Sequence, residues 1–123
     1  MARILVIDDE TFIRMLYKKE FESEGYEVFL AADADEGSKA MTAHEPDLVI
    51  LDIELGEQSG LELLNKFRQK YRDCFIIINS AYSTYKSDFQ TWLADAYIMK
   101  SSDLNPLKEK IEELLAKGAC ENR

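Results

Sequence analysis

The sequence predicts an α/β fold: a doubly wound, mostly parallel five-stranded sheet with five helices on its two faces. Three observations carry that expectation. Short apolar runs of strand length alternate with longer amphipathic stretches, the pattern of repeated βα units. The first, third and fourth runs are continuous and β-branched, as strands buried on both faces require. The chain has 123 residues, of which 46% are hydrophobic, enough for one domain with a substantial core.

The elements follow in order. Strand one is Ile4–Ile7, and in the next stretch Phe12, Leu16 and Phe21 put apolar groups on one helical face that Gly25 stops. The second strand is Val28–Ala31, followed by a short helix over Ala34–Ala43 that ends before Pro46. Leu48–Leu51 is the third strand, and Leu61, Leu64, Phe67 and Tyr71 mark the helix after it. Phe75–Ile78 is the fourth; the helix near Thr84–Leu93 is the least regular. Tyr97–Met99 is the fifth strand. A last helix near Leu107–Leu115 has Asn105 as N-cap and Pro106 at its first position. Residues after Ala116 read as a frayed polar tail, which sets the domain at 1–117 and the tail at 118–123.

Composition excludes several functions. Fifteen Lys and Arg against 24 Asp and Glu give a net charge of −9, the wrong sign for nucleic acid or an anionic membrane as partner. The apolar start, Ile4-Leu5-Val6-Ile7, meets Asp8-Asp9 at once and is neither a signal peptide nor a span. Cys74 and Cys120 lie far apart, Cys74 as a buried thiol, and His44 alone builds no histidine metal site. A reducing, cytoplasmic setting is expected. His44 is read as a solvent-facing loop residue, and Trp92 as packing.

In a doubly wound sheet ligands bind at the carboxyl ends of the strands. There strand one delivers Asp8-Asp9, strand three Asp52, strand four Asn79-Ser80 and strand five Lys100. Three carboxylates on one rim repel one another, and a cation relieves the cost. Oxygen ligands without His or Cys suit Mg²⁺ with open positions for phosphoryl transfer. Asp52 is then a candidate nucleophile forming an acyl phosphate, with Lys100 and the Ser80 hydroxyl receiving phosphoryl oxygens. Singly, each residue has a plainer use. Asp8-Asp9-Glu10 can cap the first helix, Asp52 can form an Asx turn before Gly56, and Lys100 can be a surface cation. Ser80 can cap the next segment, and Tyr97 can be a half-buried strand aromatic.

The ordered set Asp8-Asp9, Asp52-Ile53-Glu54-Leu55-Gly56, Ser59-Gly60, Ser80-Ala81-Tyr82 and Tyr97-Ile98-Met99-Lys100 resembles the chemotaxis-type receiver domain of two-component response regulators. The resemblance runs from Arg3 to about Leu115. It implies a flavodoxin-like sheet of order 2-1-3-4-5. It further implies that Asp52 is the phosphoacceptor, charged by the phosphohistidine of a sensor histidine kinase or phosphotransfer protein. Asp8, Asp9, Asp52 and the backbone carbonyl of Glu54 would hold Mg²⁺. Lys100 would pair with the phosphate, and Ser80 and Tyr97 would be the switch hydroxyl and aromatic. Such a domain assists its own phosphorylation and dephosphorylation and is not a turnover enzyme; its output goes to a downstream protein target.

Three departures from that family stand out. Ser101 follows Lys100 where many receivers have a proline, so a trans bond is expected, with Ser101-Ser102-Asp103 making other hydrogen bonds. Gly56 replaces a frequent proline and should loosen its loop. The stretch from Ser80 to Tyr97 is about two residues short, which predicts a short or distorted fourth helix near the cluster Tyr85, Phe89, Trp92 and Tyr97. Glu54 and Tyr82 flank the path of the hydrolytic water and are read as tuning the acyl-phosphate lifetime. The rival readings are a pseudo-receiver that binds proteins without phosphate, and a small haloacid-dehalogenase-type phosphatase using Asp52 and Glu54.

Overall fold

All five apolar runs form strands, and they pair in a single parallel sheet. The computed structural model describes residues 1–55, 58–81 and 93–121, with residues 58 and 119–121 by backbone only. The strands of this sheet are β1 (Arg3–Ile7), β2 (Glu27–Ala31), β3 (Leu48–Leu51), β6 (Phe75–Ser80) and β7 (Ala96–Met99). Their order is β2-β1-β3-β6-β7, which is 2-1-3-4-5 when only the sheet's own strands are counted. A small antiparallel pair, β4 (Glu54–Leu55) and β5 (Gln58–Ser59), follows β3 and was not legible from apolar periodicity. The helices are α1 (Thr11–Ser23), α2 (Ala34–His44), α3 (Gly60–Lys70) and α4 (Asn105–Glu121). The fourth helix expected near Thr84–Leu93, with Tyr85, Phe89 and Trp92, lies over residues 82–92, outside the described residues, as does Gly56.

Alternation along each strand divides the core into two layers. Leu5, Ile7, Val49, Leu51, Ile76 and Ile78 meet Met41 of α2 and Leu63, Leu64 and Phe67 of α3. Ile4, Val6, Leu48, Ile50 and Ile77 meet Tyr17 and Phe21 of α1 and Leu107, Ile111 and Leu114 of α4. Because both faces are covered, the strands are apolar at nearly every position, and only their ends carry chemistry.

Several elements differ from the sequence expectation. On α1 the buried residues are Tyr17 and Phe21, with Ile13 and Leu16 packed beside them, while Phe12 is 74% exposed. A stripe of period 3.6 through Ile13, Tyr17 and Phe21 leaves Phe12 about 100° away, on the solvent side. Gly25 does end α1, at φ +95°, a backbone region that costs glycine little. His44 belongs to the end of α2 and not to a loop, half-buried, with its ring stacked on Phe29 at 3.9 Å between centroids.

The last helix is longer than its apolar stripe suggests. It starts at Asn105, where Leu104 O accepts from Lys108 N, and it runs to Glu121 through the stretch read as a frayed tail. Gly118 makes that possible, since a Cβ there would stand 2.6 Å from the Phe75 ring. The peptide after Lys100 is trans, there being no cis bond among the described residues, and Asp103 N donates to Ser101 Oγ at 3.1 Å.

Candidate functional site

The polar rim forms because the sheet's hydrogen-bond ladder continues one residue beyond each strand. Asp8 N donates to Ala31 O, Asp52 N to Ile7 O and Lys100 N to Ser80 O, at 3.1, 3.0 and 2.7 Å. Each backbone is thereby held by a neighbouring strand, and its side chain emerges at the carboxyl edge. Asp8, Asp9 and Asp52 can each bring one carboxylate oxygen within 4.8 Å of the others. Asp8 and Asp52 are only 3% and 4% exposed, while Asp9 is exposed at the mouth.

Lys100 reaches into this cluster. Its Nζ lies 2.9 Å from Asp8 Oδ2, 3.0 Å from Asp52 Oδ2 and 3.1 Å from Glu10 Oε2. The remaining carboxylate oxygens turn to backbone donors: Asp8 Oδ1 accepts from Glu10 N and Asp52 Oδ1 from Glu54 N, at 2.9 and 3.1 Å. Burial pushes the Asp52 carboxyl up to about 6; the hydrogen bond and charge of Lys100 oppose that, and Asp8 adds to it. Burial pulls the Lys100 ammonium down, but its bonds to Asp8 and Asp52 and their charges outweigh this and hold it above its ordinary range. The two directions agree physically. At Asp52 burial outweighs the one ammonium, whereas at Lys100 two buried carboxylates together outweigh burial.

Ser80 is fully buried, on the same strand face as Ile76 and Ile78. Burial raises the Tyr97 phenol, a side-chain hydrogen bond with Ser80 opposes that, and the Asp52 charge raises it further. The hydroxyl and the ring expected to act together are therefore already in contact.

Glycine completes the loop after Asp52. A Cβ on Gly60 would meet the Asp52 carbonyl oxygen and the Ile53 Cα, and Gly60 N donates to Ile53 O at 2.7 Å. The start of α3 thus lies against the backbone of Asp52, with Ser59 Oγ accepting from Leu61 N at its N-cap.

Asp8, Asp9, Asp52, Ser80, Tyr97 and Lys100 are thus brought to one edge. Glu54 is exposed beside it and reaches Asp52 through its backbone N. Tyr82 lies outside the described residues. The capping alternative for Glu10 does not hold, since its side chain makes no cap hydrogen bond and reaches Lys100 instead. That contact spans 90 residues, and no local spacing signals it. The donor set of carboxylate oxygens, without nitrogen or sulfur, fits a hard divalent cation such as Mg²⁺ that keeps several waters.

A carboxylate cluster, an ammonium and a buried hydroxyl at the carboxyl edge of a 2-1-3-4-5 sheet match a receiver domain of two-component signalling. The sequence matches the response regulator receiver domain family over residues 4–112, and the chain belongs to that family. It is 31% identical over 99% of its length to the response regulator ArlR of Staphylococcus saprophyticus, spanning 56% of that protein. Sporulation initiation phosphotransferase F of Bacillus subtilis is 28% identical over 92% of this chain and 93% of its own. Among solved structures, the response regulator TrrA of Thermotoga maritima in complex with Mg²⁺-BeF is 47% identical, with a TM-score of 0.89 over 93% of this chain and 99% of that one. TrrA in complex with the histidine kinase ThkA superposes with a TM-score of 0.87 at 48% identity, over 94% and 99% of the two chains.

Proposed function

We propose that this receiver accepts a phosphoryl group on Asp52 from the phosphohistidine of a sensor kinase or phosphotransfer protein. The observation that carries the reading is the Asp52 carboxylate, buried at a strand end, hydrogen-bonded to Lys100, and beside Asp8 and Asp9. The complexes of TrrA with Mg²⁺-BeF and with ThkA support the same reading.

The chemistry follows from the residues. An Asp52 carboxylate oxygen attacks phosphorus, an O–P bond forms, and the P–N bond breaks with its electron pair leaving on the imidazole nitrogen. Asp8, Asp9, Asp52 and the backbone carbonyl of Glu54 would hold Mg²⁺, which would supply charge neutralisation for the phosphoryl oxygens. Lys100 exchanges a carboxylate partner for a phosphoryl oxygen. The Ser80 hydroxyl leaves Tyr97 and donates to another, and the freed ring settles inward, shifting a pre-existing equilibrium on the β7 face toward a downstream protein target. Among the described residues no helix is long and apolar enough to cross a membrane.

The lifetime of the acyl phosphate is assigned to Glu54 and Tyr82 on their sequence positions, the anion disfavouring anionic approach and the ring shielding the phosphate. Tyr82→Ala should lose phosphate faster than the wild type; an unchanged half-life removes the shielding role.

The test of the acceptor is intact mass after incubation with acetyl phosphate, with and without Mg²⁺. A Mg²⁺-dependent gain of one phosphoryl group, lost in Asp52→Asn, is expected. A folded wild type that gains nothing from acetyl phosphate or from a phosphorylated kinase would refute it in favour of a pseudo-receiver.

A further inference from the structure

A buried polar chain beneath the rim has no part in the chemistry above. Tyr17 of α1 and Asn79 of β6 are 1% and 2% exposed. Tyr17 Oη lies 2.5 Å from Asn79 Oδ1, and Asn79 Nδ2 donates to Ile98 O of β7 at 2.9 Å. The direction is forced. Ile98 O can only accept, so the amide nitrogen faces it, the amide oxygen faces Tyr17, and the phenol is the donor. Burial, reinforced by Asp8, Asp52 and Glu10 and opposed by Lys100, pushes the Tyr17 phenol up to about 12, so the proton stays in place at physiological pH.

Stability alone does not account for the pair. Asn79 ends the apolar run Phe75-Ile76-Ile77-Ile78, among side chains where an isoleucine would pack without a desolvation cost. A satisfied buried polar pair is close to neutral against an apolar one. What the pair does supply is location. β7 is an edge strand, paired among the described strands with β6 alone, and Lys100 of the site follows its last residue. Asn79 faces Ile98 in the register, one step before Ser80 and two before Lys100 on the paired strand. The clamp therefore fixes the end of β7 to β6 and, through Tyr17, to the helix that follows Asp8, Asp9 and Glu10.

We propose that Tyr17 and Asn79 are positioning residues that set where Lys100 stands relative to Asp52, and so control the rate of phosphoryl transfer. The inference rests on Asp52 being the acceptor. Neither residue touches the phosphoryl group; both act through the backbone of β7.

The test compares initial rates of Mg²⁺-dependent phosphorylation by acetyl phosphate, read by intact mass, in wild type, Asn79→Leu, Tyr17→Phe and the double variant. Each set is repeated in a Lys100→Ala background, with Mg²⁺ affinity by calorimetry. Each single variant should lose about tenfold or more in rate, the scale of a small misplacement at a reacting centre. The double variant should be no worse than the singles, and Mg²⁺ affinity should be unchanged because its ligands are untouched. In the Lys100→Ala background the same substitutions should change nothing, which a merely structural role would not produce. Tyr17→Phe removes a single oxygen and keeps the comparison available should Asn79→Leu not fold. Unchanged rates in the singles, or equal losses in both backgrounds, overturn the positioning role. A wild type that is never phosphorylated overturns the acceptor reading instead.

Discussion

Replacing Asp52 by asparagine removes a buried charge and should make the metal-free protein more stable at neutral pH. The carboxyl is raised from 3.8 to about 6, roughly two pH units. At about 1.4 kcal/mol per unit this is near 3 kcal/mol of destabilisation carried by the ionised form. Asparagine leaves Lys100 with Asp8 and Glu10 but takes away one of its three partners, so the net gain should be about 1–3 kcal/mol. The pH dependence is specific. In the folded state Asp52 takes up its proton near 6, whereas the unfolded chain stays ionised to about 4. Its contribution to stability is therefore full below about 4 and is lost as pH rises through about 6. Denaturant unfolding in EDTA at pH 7.5 and pH 5 measures it. The variant should exceed the wild type at pH 7.5 by that margin, with the gap narrowing at pH 5. A variant less stable than wild type at pH 7.5, or a difference independent of pH, would refute the argument that burial outweighs Lys100 at Asp52.

Three further outcomes follow from the same geometry. Lys100→Ala leaves Asp8 and Asp52 buried without their ammonium, so the metal-free protein should lose about 3 kcal/mol while a saturating divalent cation restores most of it, as read by thermal melts with and without Mg²⁺. Gly60→Ala drives a methyl group into the Asp52 carbonyl and the Ile53 backbone; a loss above about 2 kcal/mol and displaced amide signals at Asp52–Glu54 are expected, checked by unfolding and NMR. Arg68→Ala should cost about 2 kcal/mol by denaturant unfolding. It strips donors from Leu93 O and Cys74 O and takes the 2.8 Å partner from Asp95, whose carboxylate also accepts from Ile76 N.

What the sequence determined follows from periodicity and strand ends. Continuous β-branched runs alternating with amphipathic stretches fit central parallel strands, and in such a sheet the residue that ends a run stands at the ligand edge. Asp8, Asp9, Asp52, Ser80 and Lys100 were therefore legible without coordinates. The boundaries were legible to within a few residues, except where a distant partner decided them. The helix α4 continues to Glu121 with Gly118 packed against the Phe75 ring, and no local composition records that fit. Phe12 was misplaced because two apolar stripes compete on α1, and only packing against the sheet selects Ile13, Tyr17 and Phe21.

Only the tertiary structure decided how the charges are shared. Glu10 joins Asp8 and Asp52 on Lys100 across 90 residues of chain, and burial leaves Asp52 raised although a lysine touches it. Asn79 was legible as a polar residue at the end of strand four, but not as a link between Tyr17 and the Ile98 carbonyl. The physical reason is common to both cases. Residue type and spacing fix which groups reach an edge, whereas desolvation and hydrogen-bond partners depend on what the other strands and helices bring within 3 Å.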